Sequence, residues 1–307
     1  MLILHGEQGS AKTTIAEWVR LLTDPQKALT RAAPKNEEDL AIAAKGCQWL
    51  IFDNLSSIRP WLADAFCRLA TGCGLGTRKF YTNDEEVVFY AMRPILLNGI
   101  PEFADRPDLL DRAILFHLPV FQKAERKRRK FLFAEFEEAR PRLLGALLDA
   151  VSGVLRLESE IDDSDLPRMA DFACRGIALE RYLNWKEGSF LEAYKRKRAR
   201  SEVIALESSV IWEPLQKMIA CKKFRGNSAS LLADLRNRLP SGRYPSGWPN
   251  SPQALSREIT RIAPGCRNQA IKVDRIEHGR TWVIEKMETG MKRDERDKRD
   301  ASPGDGE

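Results

Sequence analysis

The chain is 307 residues long, enough for about two domains with cores of their own. Hydrophobic residues make 43% of it and charged residues 31%, and no apolar run approaches the roughly 20 residues of a membrane helix, so an integral membrane protein and a disordered chain are both excluded as expectations. The net charge is +6, which suits contact with nucleic acid, and the six cysteines lack C-x-x-C spacing, which argues against a zinc site or a disulfide framework and for a cytoplasmic protein.

Met1 to His5 reads as a short buried strand, and Gly6-Glu7-Gln8-Gly9-Ser10-Ala11-Lys12-Thr13-Thr14 as a loop running into a helix. That is G-x-x-x-x-G-K-[ST] with Ala11 in place of the second glycine. In such a loop backbone N–H groups surround phosphates, Lys12 neutralises charge, and the Thr13 hydroxyl ligates Mg²⁺. Ala11 costs little if it sits at the helix start with negative φ, and the helix dipole adds to the anion site. A strand that opens the chain at Met1 fits either a minimal N-terminus or the downstream part of a longer protein.

The first helix, with Ile15, Val19 and Leu22 on one face, ends at Thr23-Asp24-Pro25. Residues 27–33 are expected to form a short strand, and Asn36 to cap a helix over 37–45. Gln48 to Asn54 is four apolar residues closed by Asp53, a buried parallel strand with a carboxylate at the edge where open α/β sheets bind ligands. Asp53 is expected to hold Mg²⁺ through water. The next position is Asn54, an amide that cannot take a proton, so hydrolysis would be slow, would borrow a carboxylate such as Glu7, Asp64 or a neighbour's, or would use Asn54 to place water.

A helix follows over 60–70, then a Gly-rich stretch, 71–78, expected to be a flexible connection. Residues 79–82 and 87–91 read as a β-hairpin whose Arg78, Lys79, Tyr81 and Arg93 suit a nucleic-acid single strand as well as they suit a solvated face. Pro94 to Gly99 is another strand, ending in Asn98, which is placed to sense a terminal phosphate or a water. Residues 106–112 form a short helix and 113–118 a further strand. Arginines at this point are candidates to reach a neighbouring subunit's nucleotide, Arg112 first and Arg106 second, with salt bridges to Asp108 or Asp111 as the plain alternative.

Helices are expected over 123–140, 141–157, 166–183, 189–200 and 201–221, the densest basic cluster being Lys195 to Arg200. From Asn227 the pattern changes: a helix over 228–239, a turn-rich link, a helix from Ser251-Pro252 to about Ile262, and a strand pair over 271–276 and 280–284. Helices followed by a short hairpin are the layout of a winged helix. Arg257, Arg261, Lys272 and Arg280, with Arg267 and Arg275, give it a basic face suited to a DNA backbone. Met287 to Glu307 reads as disordered. The expected domains are 1–121, 122–226 and 227–286, with 287–307 as a tail.

Taken together, the loop at 6–13, Phe52-Asp53-Asn54-Leu55-Ser56, Leu69-Ala70-Thr71-Gly72, residues 81–86, Leu97-Asn98-Gly99-Ile100 and residues 106–112 resemble ATP-binding proteins of bacterial mobile elements and phages. The likeness is to primase-associated, superfamily 3-type or AAA+ helicase domains, and it covers roughly residues 2 to 285. It implies an α/β P-loop NTPase core with a helical lid and a C-terminal winged-helix-like domain. It further implies ATP and Mg²⁺ as ligands, a homo-oligomer such as a hexameric ring acting on DNA, single-stranded by preference, and a primase partner or a missing N-terminal domain. The alternative is a loader or DNA-binding protein switched by ATP without hydrolysing it. A small-molecule kinase is disfavoured by the lack of an acceptor-pocket signature and by the basic C-terminal module.

Overall fold

The computed structural model describes residues 1–78, 86–99, 106–162, 164–239, 244–276 and 281–287. The chain divides into two compact units, 1–205 and 206–307.

The first unit is an α/β protein built on four parallel strands: β1 (Leu2–His5), β2 (Leu50–Leu55), β5 (Ile95–Gly99) and β6 (Ile114–His117), in the order β2-β5-β1-β6. Each strand is a near-continuous apolar run, as a sheet covered on both faces requires. Strict alternation of side chains divides these residues between two layers. Leu4, Ile51 and Leu96 pack with Ala16, Ile15 and Val19 of α1 (Lys12–Thr23) on one face. Ile3, Leu50, Phe52, Ile95, Leu97 and Leu115 face α2 (Glu37–Gly46) and α3 (Pro60–Thr71) on the other. Both helix starts follow from sequence: the Asn36 side chain accepts the Asp39 N–H at 2.8 Å, and Pro60 occupies the first turn of α3.

The expected strand at 27–33 reduces to a single parallel bridge, Arg31 to Phe52 at the sheet edge. The interior of α1 also departs from expectation. Its most buried side chains include Glu17 and Arg20, the latter with 0% exposure. Arg20 donates to the Leu29 carbonyl at 3.3 Å, the Trp49 carbonyl at 2.8 Å and Asp24 at 2.5 Å, which ties α1 to the start of β2. Burial works to raise the Asp24 carboxyl, but the Trp49 and Gln48 N–H groups and Arg20 hold it below its usual range.

The Gly-rich stretch is a strand and not a flexible connection. β3 (Cys73–Arg78) pairs antiparallel with β4 (Glu86–Ala91), Cys73 opposite Ala91 and Arg78 opposite Glu86, so the hairpin begins earlier than its β-branched residues suggest. Its partner strand supplies the ladder that the glycines do not propose by themselves. The short helix α4 (Pro107–Leu110) precedes β6. The two helices expected over 123–157 are one, α5 (Arg129–Leu157), continuous through Pro141. The carbonyl that Pro141 deprives of its N–H partner is that of Glu137, an exposed residue, where water can serve in its place. The charge run before it is a short 3₁₀ turn, Lys123–Glu125, and extended chain. α6 (Ala170–Tyr182) and α7 (Ser189–Glu207) complete the unit.

The second unit holds α8 (Trp212–Cys221), β7 (Phe224–Gly226), α9 (Ser228–Arg236), α10 (Pro252–Asn268), β8 (Ile271–Ile276) and β9 (Thr281–Lys286). Its antiparallel sheet runs β7-β9-β8. The three-residue β7 was not foreseen; it pairs Phe224 with Ile284 and closes the sheet over a core of Leu215, Leu231, Leu255, Ile259, Trp282 and Ile284. Asn227 and Ser251 cap α9 and α10 through the N–H groups of Ser230 and Ala254. α10 continues through Pro264 to Asn268, beyond the expected end near Ile262, while the expected boundary at 226/227 falls inside this unit. Among the described residues no helix is long and apolar enough to cross a membrane.

Candidate functional site

The carboxyl edge of the parallel sheet carries the chemistry. Because β5 lies between β1 and β2, its last residues stand between the loop that leaves β1 and the carboxylate that ends β2. Asn98, only 2% exposed, uses this position twice: its amide donates to the Thr13 hydroxyl at 3.3 Å and, through a short bond, to Asp53 Oδ1. Thr13 Oγ1 itself donates to the same Asp53 oxygen at 3.2 Å. Three segments distant in sequence thus meet as a hydroxyl, a carboxylate and an amide. The Asn54 N–H also reaches Asp53 Oδ1, at 2.9 Å, from a left-handed backbone with φ 59°.

The loop over Gly6 to Lys12 wraps around the Lys12 ammonium, which donates to the carbonyls of Gly6 (2.7 Å) and Glu7 (2.8 Å) and to Ser10 Oγ (3.3 Å). Ser10, 1% exposed, returns its hydroxyl to the Glu7 carbonyl at 2.8 Å. Two glycines are required by space or conformation. A Cβ on Gly6 would stand 2.6 Å from the Leu118 carbonyl oxygen, and Gly9 has φ +90°. Glu7, Gln8 and Gly9 are exposed at the mouth, and Thr14 lies in the first turn of α1.

Ala11 corrects the expectation attached to it. It is the residue before α1 and has φ 58°, ψ 23°, the left-handed region, and not the negative φ that would make alanine harmless. A Cβ in that region costs roughly 1–2 kcal/mol. The Ile15 N–H closes on its carbonyl at 3.0 Å, and no side chain caps the helix. The first-turn N–H groups therefore open at a cavity of about 790 Å³ lined by Gly6, Gln8 to Thr13, Asp53, Asn54, Asn98 and Gly99. Backbone N–H donors, a lysine and a helix N-terminus suit a polyphosphate, and the hard oxygens of Thr13 and Asp53 suit Mg²⁺. The donor set and the Cβ-free cradle at Gly6 both fit these groups.

Residues that spacing did not single out surround the loop. His5 and His117 approach Nδ1 to Nδ1 at 3.1 Å at the ends of β1 and β6. Burial, then His117, Arg200 and Lys12, lower the His5 pKa. Glu17 is held by Arg129 of α5 through two bonds of 2.6 and 2.9 Å. Arg126 lies against Gly9. Each of these contacts joins chain segments that no local motif connects.

The remaining predicted residues do not join this cluster. Arg106 pairs with Asp64 at 2.6 Å and with Asp108 at 2.6 Å, and also donates to the Pro60 carbonyl, so the salt-bridge alternative holds for it. Arg112, in the turn after α4, turns back on that helix and donates to the Asp108 carbonyl at 3.0 Å. Asp111 is taken by Arg198 at 2.8 Å and by Arg168. Arg93 donates to the Ala44 and Met92 carbonyls. Arg78 is the last residue of β3; Lys79, Tyr81 and Arg280 lie outside the described residues.

In the second unit, α10 turns Leu255, Ile259 and Ile262 inward and leaves Gln253, Arg257, Thr260 and Arg267 exposed at spacings of three, four and seven. Arg261 is different: it binds Glu258 at 2.8 and 2.5 Å, and Glu258 also accepts from Ser209. Lys272 faces Asp274 at 3.3 Å and Glu285 at 3.6 Å, while Arg275 lies over the Trp282 ring at 4.7 Å.

Residues 2–196 match the family model described as actinomycete integrative conjugative element replication protein. Residues 211–299 match the model described as AICE RepA C-terminal domain. No curated protein matches the chain.

Proposed function

Since the chain belongs to the family of actinomycete integrative conjugative element replication proteins, and is thus a replication protein of a mobile element, we propose that its first unit is a P-loop ATPase that drives this replication. The observation that carries the reading is the convergence of Thr13, Asp53 and Asn98 beside the Gly6–Lys12 loop. Lys12 and the loop N–H groups hold the phosphates of ATP, and Thr13 and Asp53 hold Mg²⁺. When bound, the metal neutralises charge on the phosphate oxygens. Asn98 fixes the Asp53 carboxylate and the Thr13 hydroxyl against each other and is the residue through which β5 registers what the loop holds.

The helices α5, α6 and α7 serve as a lid, and the second unit acts as a winged-helix-like contact to DNA through the exposed cations of α10. The superfamily 3-type or AAA+ helicase likeness adds a ring of subunits in which Arg112 reaches the neighbour's nucleotide. Arg106 is the weaker choice for this role because two carboxylates already hold it. The test is ATP turnover with and without single-stranded DNA, in the wild type and in Lys12→Ala. Turnover that survives Lys12→Ala overturns the assignment. If Arg112→Ala keeps full turnover and neither rescues nor poisons mixtures with wild type, the role in trans falls.

A second reading, ATP binding without hydrolysis, rests on Asn54. It follows Asp53 where a proton-accepting carboxylate would serve a hydrolase, and Asp64 is engaged by Arg106. Wild-type protein that binds ATP, changes its DNA affinity with it and releases no phosphate would decide for this reading.

A further inference from the structure

We propose that Arg126 is a second cation of the phosphate site, supplied in cis by the strap of chain that follows β6, and that it contacts the polyphosphate from the Gly9 side of the loop. The inference rests on the ATP reading and assigns a further binding residue to that same site.

Three observations lead to it. First, the strap lies along the loop over several residues. The Leu118 N–H donates to the His5 carbonyl at 2.8 Å, the Phe121 N–H reaches the Gly9 carbonyl at 3.5 Å, and the Val120 side chain stands 3.9 Å from where a Gly9 Cβ would be. Second, the Arg126 guanidinium comes closest of all: its Nη2 is 3.2 Å from that Cβ position. The left-handed φ of +90° and the nearby guanidinium together make Gly9 a place where backbone and cation share one small space. Third, the other cations that follow it are engaged elsewhere, two by carboxylates and two, Arg128 and Lys130, against the Phe131 ring. Lys127 is paired with Glu135 at 2.7 Å, and Arg129 with Glu17 at 2.6 Å. Among the described residues no carboxylate pairs with Arg126, and it is exposed.

An exposed arginine without a carboxylate beside a loop of N–H donors is a fork of five donors aimed at the rim of an anion site. Lys12 sits on the inner side of the same loop, bound to the Gly6 and Glu7 carbonyls. The two cations thus meet the loop at different residues, Lys12 at the Gly6 and Glu7 carbonyls and Arg126 at Gly9. A chain of phosphates held by the loop presents oxygens to more than one side, and a planar guanidinium can pair with two of them at once. The ordering of the strap against β1 and Gly9 positions the guanidinium without any carboxylate that would have to be displaced.

The experiment measures ATP and ADP affinity by fluorescent-analogue displacement, and the thermal shift given by each nucleotide, in full-length wild type, Lys12→Ala, Arg126→Gln and Arg126→Lys. Expected are about a ten-fold loss of ATP affinity in Arg126→Gln, partial recovery in Arg126→Lys because charge is restored without the bidentate fork, and an unchanged melting temperature of the two nucleotide-free Arg126 variants. If Arg126→Gln binds ATP as wild type does while Lys12→Ala has lost binding, this inference is overturned and the nucleotide reading stands. If the wild type binds neither nucleotide, both fall. If Arg126→Gln melts lower without nucleotide and Arg126→Lys does not restore affinity, the residue is structural and the inference is overturned.

Discussion

The two units present polar chemistry in opposite ways. In the first, Thr13, Asp53 and Asn98 come from segments some forty residues apart and meet on shared atoms, with Asn98 buried beneath them. In the second, Arg257 and Arg267 lie along one helix, exposed and without mutual contact. A convergent site needs every member, because a buried amide that loses its partners keeps its desolvation cost. A dispersed basic face needs only its sum, since phosphate neutralisation is nearly additive. Loss of one residue should therefore disable the first and merely dilute the second.

The sharpest break of that contrast is Asn98→Leu. It removes the bridge between Thr13 and Asp53 and places an apolar side chain beside a carboxylate. Under the proposed reading, ATP affinity or turnover falls by about 100-fold, a loss of roughly 3 kcal/mol from one hydrogen bond to a carboxylate and one to a hydroxyl. DNA affinity measured without nucleotide should not change. A variant that keeps turnover within a few fold would show that the three groups are neighbours and not a unit.

Next in size is Asp24→Asn, which tests whether convergence also organises the sheet away from the cavity. Arg20 is fully buried, and the substitution leaves its charge without its carboxylate at a cost of about 3 kcal/mol. The sign with pH follows from the lowered Asp24 pKa. A carboxyl held below its unfolded value contributes stability at neutral pH and loses it as pH falls through the folded value. Denaturant titrations of wild type and variant should accordingly differ most near pH 7 and converge only as the pH falls below the ordinary range of an aspartate carboxyl. A constant difference across that range would contradict the assignment.

Both tests bear on what the chain made legible. The four parallel strands are plain in sequence because each opens on an apolar run, and that pattern alone puts Asp53 and Asn98 toward the carboxyl ends of β2 and β5. The glycines of 6–9 likewise announced a loop. What stayed hidden depends on tertiary partners. Arg20 reads as a solvated helix residue until the Leu29 and Trp49 carbonyls are brought to it. The Gly-rich β3 becomes a strand only through β4, and β7 only through β9. Arg106 and Arg112 look alike in sequence, yet one meets two carboxylates and the other a carbonyl.

The dispersed face gives smaller effects. Arg257→Ala should weaken DNA binding a few fold and lower the salt slope by about one, and Arg267→Ala should do the same. The double variant should show the product of the two. Fluorescence anisotropy with a labelled single strand at several salt concentrations measures this, and strong non-additivity would mean that α10 also carries a convergent site. Arg261→Ala serves as contrast: because Glu258 already neutralises it, its removal should alter the salt slope less.

The smallest change tests the convergent site at its most strained point. Ala11 holds φ 58° immediately before Lys12, so its Cβ costs roughly 1–2 kcal/mol that glycine would not incur. Glycine in turn loses more freedom on folding, by roughly 0.5–1 kcal/mol. The balance favours Ala11→Gly by about 0.5–1 kcal/mol, seen as a modest rise in the melting temperature of the first unit. The left-handed turn is fixed from both sides, by the Ile15 N–H on the Ala11 carbonyl and by Lys12 on the Gly6 and Glu7 carbonyls. The glycine variant should therefore keep the same loop and the same nucleotide affinity while gaining stability. If it gains stability but loses affinity, the alanine methyl is part of how the loop is held in shape, and the strain at residue 11 serves binding.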